Sequence, residues 1–165
     1  MKTSDFELSQ VKEAQVPAPD HIVQAVHGFS EKVGYKFEVS DCPVEGTELY
    51  VVYAEAHPLP ERYTVALGVL GFRVPRNIPD ACPEDCFFIQ PHDVKLKEAD
   101  PVRNSKDINR ASSNQDFLRG TKLGGTPALV FSWHLWDRRP WDRNRHTLID
   151  HYDHCIRRFD QPEHD

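Results

Sequence analysis

Ile22, Val26, Phe29 and Val33 recur at spacings of four, three and four, which sets one apolar stripe along a helix. Asp20 stands where an N-cap belongs, and Gly34 where a C-cap glycine belongs. The period then drops to two. Tyr35, Phe37 and Val39 alternate with Lys36 and Glu38, the pattern of a half-buried strand. Cys42-Pro43 opens a turn that runs to Gly46, and Leu49 to Ala54 reads as a second strand. His57-Pro58-Leu59-Pro60 is a proline turn, after which Thr64 to Val74 is the third and longest strand. Pro75, Pro79 and Pro83 punctuate the next stretch. Proline cannot donate to a ladder, so this stretch is a rigid crossing to the fourth strand, Phe87 to Gln90, which stops at Pro91. Connections this short favour neighbouring antiparallel strands.

Periodicity fades from His92 to Thr126, where Asn, Ser, Lys, Arg and Asp dominate. Such a stretch predicts a long irregular segment. Order resumes at Ala128-Leu129-Val130-Phe131, followed by an aromatic run through Trp133, Trp136 and Trp141. A final helix is expected from about His146, with Leu148, Ile149, Tyr152, Ile156 and Phe159 on one face. Arg157 and Arg158 near its end suit the helix dipole. Residues 1–17 are polar and read as an N-terminal arm, leaving 18–160 as the folded domain.

Composition narrows the class. Hydrophobic residues are 39% and charged residues 28% of the 165, ordinary values for a globular chain. No apolar run approaches the roughly 20 residues of a membrane helix, and Met1 to Glu7 lacks a signal-peptide core. A cytoplasmic protein with no membrane partner is expected. The net charge of −6 disfavours nucleic acid. Of the four cysteines, Cys82 and Cys86 lie four apart with no second pair to complete a zinc site. His151 and His154 share a helix face with Asp150 one turn before His154, but that face reads as the polar one. Neither a metal nor a cofactor is expected.

The order is helix, four-stranded meander, proline crossing, irregular segment, aromatic segment and helix. It resembles the ubiquitin-conjugating (E2, UBC-like) superfamily, and in detail prokaryotic E2 family E. The residues that carry the likeness are Val33-Gly34-Tyr35, Pro58-Leu59-Pro60 and the crossing from Val74-Pro75 through Pro79-Asp80-Ala81 to Phe87-Phe88-Ile89-Gln90-Pro91. Ser132-Trp133-His134, Trp141 and the last helix complete it. The likeness covers about residues 18–160 and implies an α+β, UBC-like fold. It also implies a component of a bacterial ubiquitin-like conjugation system, some of whose modifiers are multi-ubiquitin chains. The implied partners are an E1-like activating enzyme, the ubiquitin-like modifier and a JAB-type peptidase of the same system. The implied chemistry is transthiolation, in which a thiolate takes the modifier as a thioester and passes it to an amine.

One departure from the family pattern decides how the chemistry is read. E2 enzymes place their nucleophilic Cys after the fourth strand, beyond a His-Pro-Asn element. Here Pro91 to His154 contains no Cys, and Pro91-His92-Asp93 is a faint echo of that element. Either a thiol elsewhere serves, or the protein is a non-catalytic UBC-like adaptor. Cys86, at the entry to the fourth strand, and Cys82, in the crossing, are the candidate thiols, with a structural role as the plainer reading of Cys86. Cys42 and Cys155 read as inert small residues. The resemblance makes His134 a candidate to orient a carbonyl or move a proton, against a half-buried His bonded to backbone. Trp133, Trp136, Asp137, Arg138, Arg139 and Trp141 form the candidate partner-binding segment, with Arg143 and Arg145 extending its basic patch. Core packing is the plainer reading of the tryptophans, and a solvated loop that of the charges.

Overall fold

The first helix begins at a proline. In the computed structural model, which describes residues 17–97, 111–132, 136 and 139–160, α1 spans Asp20–Val33 and buries Ile22, Val26 and Phe29. Val33, the fourth residue of the stripe, is half-buried against the same core. The Pro19 carbonyl accepts the N–H groups of Ile22 at 3.0 Å and Val23 at 3.2 Å. Pro19 is therefore the N-cap, and Asp20, expected there, lies one residue inside, where its carboxylate suits the positive helix end. Gly34 closes the helix at φ 81°, a left-handed conformation that favours glycine, and its N–H reaches the Ser30 carbonyl at 3.0 Å.

Six antiparallel strands form one sheet in the order β1-β2-β3-β4-β6-β5. The expected meander is its first part: β1 (Glu38–Val39), β2 (Leu49–Pro58), β3 (Leu67–Pro75) and β4 (Cys86–Gln90). Tyr50 faces Val74 and Val52 faces Phe72 across β2 and β3, and Gly71 of β3 faces Phe88 of β4. β1 is shorter than the alternation of residues 35–39 predicts. Tyr35 leaves the ladder, 38% exposed, and leans on the His57 ring at 4.5 Å. β2 runs longer than expected, through a register shift between Ala54 and His57.

Two corrections concern the second half of the chain. The sheet has six strands, not four. Ala128-Leu129-Val130-Phe131 is β6 (Ala128–Ser132), which pairs with β4. Part of the expected irregular segment is also a strand, β5 (Ala111–Asn114), paired with β6 at the sheet edge. Ser112, Ser113 and Asn114 are exposed and give no apolar signal, because an edge strand is held by backbone pairing on one side.

α2 (Leu148–Asp160) packs with α1 on one sheet face, where Phe29 meets Tyr152 edge-on at 5.5 Å. Tyr50, Val52, Leu70, Phe72, Ile89 and Phe131 point into this larger core. Phe87 and Phe131 stack there at 4.4 Å with Phe159 against their edges. Val51, Tyr53, Phe88 and Val130 point to the other face, which the turn after β5 closes with Phe117 and Leu118. No helix among the described residues is long and apolar enough to cross a membrane.

Candidate functional site

The proline crossing between β3 and β4 is fastened to α1 and to the segment that leads into α2. His21 of α1 donates its Nε2–H to the Arg76 carbonyl at 2.9 Å. From the other side, the Trp141 indole donates to the Pro79 carbonyl at 2.7 Å, and Arg143 pairs with Asp80. Proline makes both connections effective, since a chain with few backbone freedoms needs few tethers to be held in one place. The Ile78–Pro79 and Gln90–Pro91 peptide bonds are cis.

Behind the crossing lies a cluster of tryptophan and histidine rings. Trp136 meets Trp141 edge-on at 4.8 Å, His146 at 5.0 Å and His154 at 6.0 Å. Its indole N–H donates to His151 Nδ1 at 3.1 Å, and its backbone N–H donates to the Asp85 carboxylate at 3.1 Å. Trp136 is buried, so its ring supports Trp141 from within, while Trp141 itself is half-exposed. Arg139, Arg143 and Arg145 are exposed. Trp133, His134, Asp137 and Arg138 lie outside the described residues.

His151 corrects the reading of its helix face as polar. It is 3% exposed and edges onto the Phe72 ring at 4.8 Å. Burial, with His154 adding to it, pushes its pKa down to about 3, and the Cys86 backbone carbonyl offsets part of this. With Nδ1 accepting from Trp136, the neutral ring carries its proton on Nε2, an atom buried without a hydrogen bond. Among the described residues, no group of three or more His, Cys, Asp or Glu side chains is placed to hold a metal ion.

All four cysteines are free, and Cys155 lies near enough to Cys86 to raise its pKa further. Cys86 is half-buried at the start of β4 and donates its S–H to Glu84 Oε1 at 2.8 Å. Glu84 is itself clamped by Arg73, whose Nη2 lies 2.6 Å from each carboxylate oxygen. Burial first, then the Glu84 charge, holds the Cys86 pKa far above its usual value, with Arg73 opposing. Burial does the same to Cys155, seconded by Asp85. Both thiols are therefore held neutral, and the thiolate is the nucleophile. Cys82 is half-buried within the crossing, and Cys42 donates its S–H to the Gly120 carbonyl at 3.1 Å. Pro91-His92-Asp93 follows the far end of β4. Cys86 and Gln90 are the two ends of β4, four residues or about 13 Å apart at 3.3 Å per residue, so Cys86 and this element lie at opposite ends of the strand. His92 Nδ1 lies 3.1 Å from Ser113 Oγ on β5.

The structure thus brings Trp136 and Trp141 to the crossing that carries Cys82, and leaves Cys86 sealed by an ion pair. Sequence reasoning missed Arg73, Glu84, Asp85 and His57. Glu84-Asp85-Cys86 was a readable signal, two acids beside a thiol. His57 was not: its Nδ1–H donates to the Pro58 carbonyl at 2.8 Å, and Nε2 meets the Tyr152 hydroxyl, 95 residues away, at 2.7 Å. Comparison with known proteins returns no matching family model, curated protein or solved structure.

Proposed function

We propose that the protein is a non-catalytic, UBC-like adaptor of a bacterial ubiquitin-like conjugation system, one that binds an E1-like enzyme and the modifier without carrying the modifier as a thioester. The family likeness supplies the system. The order of helix, meander, crossing and final helix agrees with it, while the β5–β6 hairpin is an addition to the four-stranded plan. The observation that favours an adaptor over a carrier is the Cys86 thiol, which donates to a carboxylate already clamped by Arg73. Transthiolation needs a thiolate within reach of another protein's thioester. A thiol beside a fixed negative charge, in a half-buried position, is held in the opposite state.

A charging assay tests the reading. The protein is mixed with the E1-like enzyme and ubiquitin-like protein of its own system and ATP, then run on a non-reducing gel. The expected result is no reductant-sensitive adduct, from an E1 that charges itself, with both proteins retained in a pull-down. An adduct lost in Cys86→Ser or Cys82→Ser would make the protein a carrier with a displaced nucleophile. Binding to neither protein would remove it from conjugation altogether.

A further inference from the structure

One carboxylate oxygen holds two groups that pull the Cys86 thiol in opposite directions. Glu84 Oε1 accepts the Cys86 S–H at 2.8 Å, the Arg73 Nε–H at 2.8 Å and an Nη2–H of Arg73 at 2.6 Å. The sulfur and the guanidinium are separated by that single atom. The positive charge of Arg73 favours a thiolate, and the negative charge of Glu84 favours the thiol. Glu84 prevails because it is the charge in contact with the sulfur. Cys155, the other titratable group that acts on Cys86, adds a smaller effect against the thiolate wherever Glu84 points.

The two charges are not equally fixed. The Arg73 side chain is 15% exposed and has a second anchor. Its Nη1–H donates to the Phe117 carbonyl at 3.2 Å, and its guanidinium lies 3.9 Å from the Phe117 ring centre. Neither contact involves Glu84, so both hold the cation whether or not the carboxylate is there. The Glu84 side chain is 29% exposed, and its carboxylate touches only Arg73 and Cys86 among the described residues. Its backbone N–H is tied to the Arg73 carbonyl at 2.9 Å, which fixes the main chain and leaves the side chain free to turn. A rotation toward water takes the carboxylate off the thiol and leaves Arg73 as the nearest charge. An ion pair open to solvent on one side separates at modest cost.

We propose that Glu84 is an intramolecular lock on a latent nucleophile. With its carboxylate on the sulfur, Cys86 is inert. With the carboxylate turned away, Arg73 stabilises the Cys86 thiolate, which attacks soft electrophiles. The adaptor reading uses only the locked state, and the lock requires neither an E1-like enzyme nor a modifier.

Iodoacetamide tests the lock on the full chain. The thiolate displaces iodide from the reagent's CH2 carbon, so an S–C bond forms as the C–I bond breaks, and the thiol proton goes to the buffer. Mass spectrometry of the digested protein separates Cys86 from Cys42, Cys82 and Cys155. Glu84→Gln keeps the size and removes the charge, and circular dichroism checks its fold. At about pH 8 it should label at Cys86 at least tenfold faster than wild type. Its rate should level off with a midpoint at or below the ordinary thiol value of about 8.5, while the wild-type rate still climbs at about pH 10. Adding Arg73→Met should remove most of the gain. Equal labelling of Glu84→Gln and wild type would overturn the proposal, and so would a midpoint above the ordinary value. A gain that survives Arg73→Met would overturn it too, since loss of the ion pair would then only loosen the turn over Cys86. The charging assay is read separately, so failure of the lock and failure of the adaptor reading are distinct.

Discussion

His151 has a folded pKa of about 3 against an ordinary 6.5, because burial strips the charged ring of water. Between these values the unfolded chain binds a proton that the folded chain refuses. Unfolding therefore takes up a proton, and stability is full above pH 6.5 and falls as the pH drops below it. His57 and His154 are lowered too, with burial the first cause, and act with the same sign. His151→Gln removes the titration and keeps an acceptor for the Trp136 indole. Urea unfolding at pH 7.0 and 5.5 should show wild type losing about 1 kcal/mol more than His151→Gln over that interval. Equal losses would mean that His151 charges in the folded state. None of this is legible in the sequence, where His151 shares a helix face with His154 and Asp150. Only packing against Phe72 and Trp136 makes it a core residue.

The elements themselves were readable where one residue type has one physical use. Gly34 ends α1 because its backbone is left-handed, and Gly34→Ala should cost about 1 kcal/mol. Gly71 has a different reason, which no pattern announces. A Cβ there would sit 2.5 Å from the Val52 carbonyl oxygen and 2.7 Å from the Phe88 ring. The central strands must part to admit it, so Gly71→Ala should cost about 2 kcal/mol, in the range of overpacked cores. Thermal melts of the two variants check the order: a Gly34→Ala protein less stable than Gly71→Ala would contradict it. The same logic explains the elements that were misjudged. β2 reads as a continuous apolar run because both its faces are buried. β5 carries no apolar pattern because its partner β6 supplies backbone bonds, and its exposed edge needs only solubility.

At the scale of the molecule, the sheet is covered twice. Helices cover one face, and the turn after β5 covers the other. Phe117 lies edge-on to Phe88 at 5.7 Å, and the Arg73 guanidinium sits 3.9 Å from its ring centre. Phe117→Ala should cost about 3 kcal/mol in urea unfolding, as a large aromatic deletion from a core does. A loss under about 1 kcal/mol would mean that the turn does not seal this face. The turn also carries the Phe117 carbonyl that accepts from Arg73 at 3.2 Å, so it helps hold the ion pair that quiets Cys86.

By itself the sequence determined the local elements: where a stripe of period four and three makes a helix, where proline forbids a ladder, where alternation makes a strand. These follow from backbone sterics and from which face each residue turns to water, both written in nearest neighbours. Only the tertiary structure decided that β6 and β5 extend the meander, that Trp136 and His151 are interior, and that Cys86 faces a clamped carboxylate. Those outcomes depend on contacts between residues far apart in the chain. Arg73 meets Phe117 across 44 positions, Trp136 meets Asp85 across 51, and His57 meets Tyr152 across 95. Burial sets the protonation of a thiol or an imidazole, and burial exists only once distant segments have closed over it.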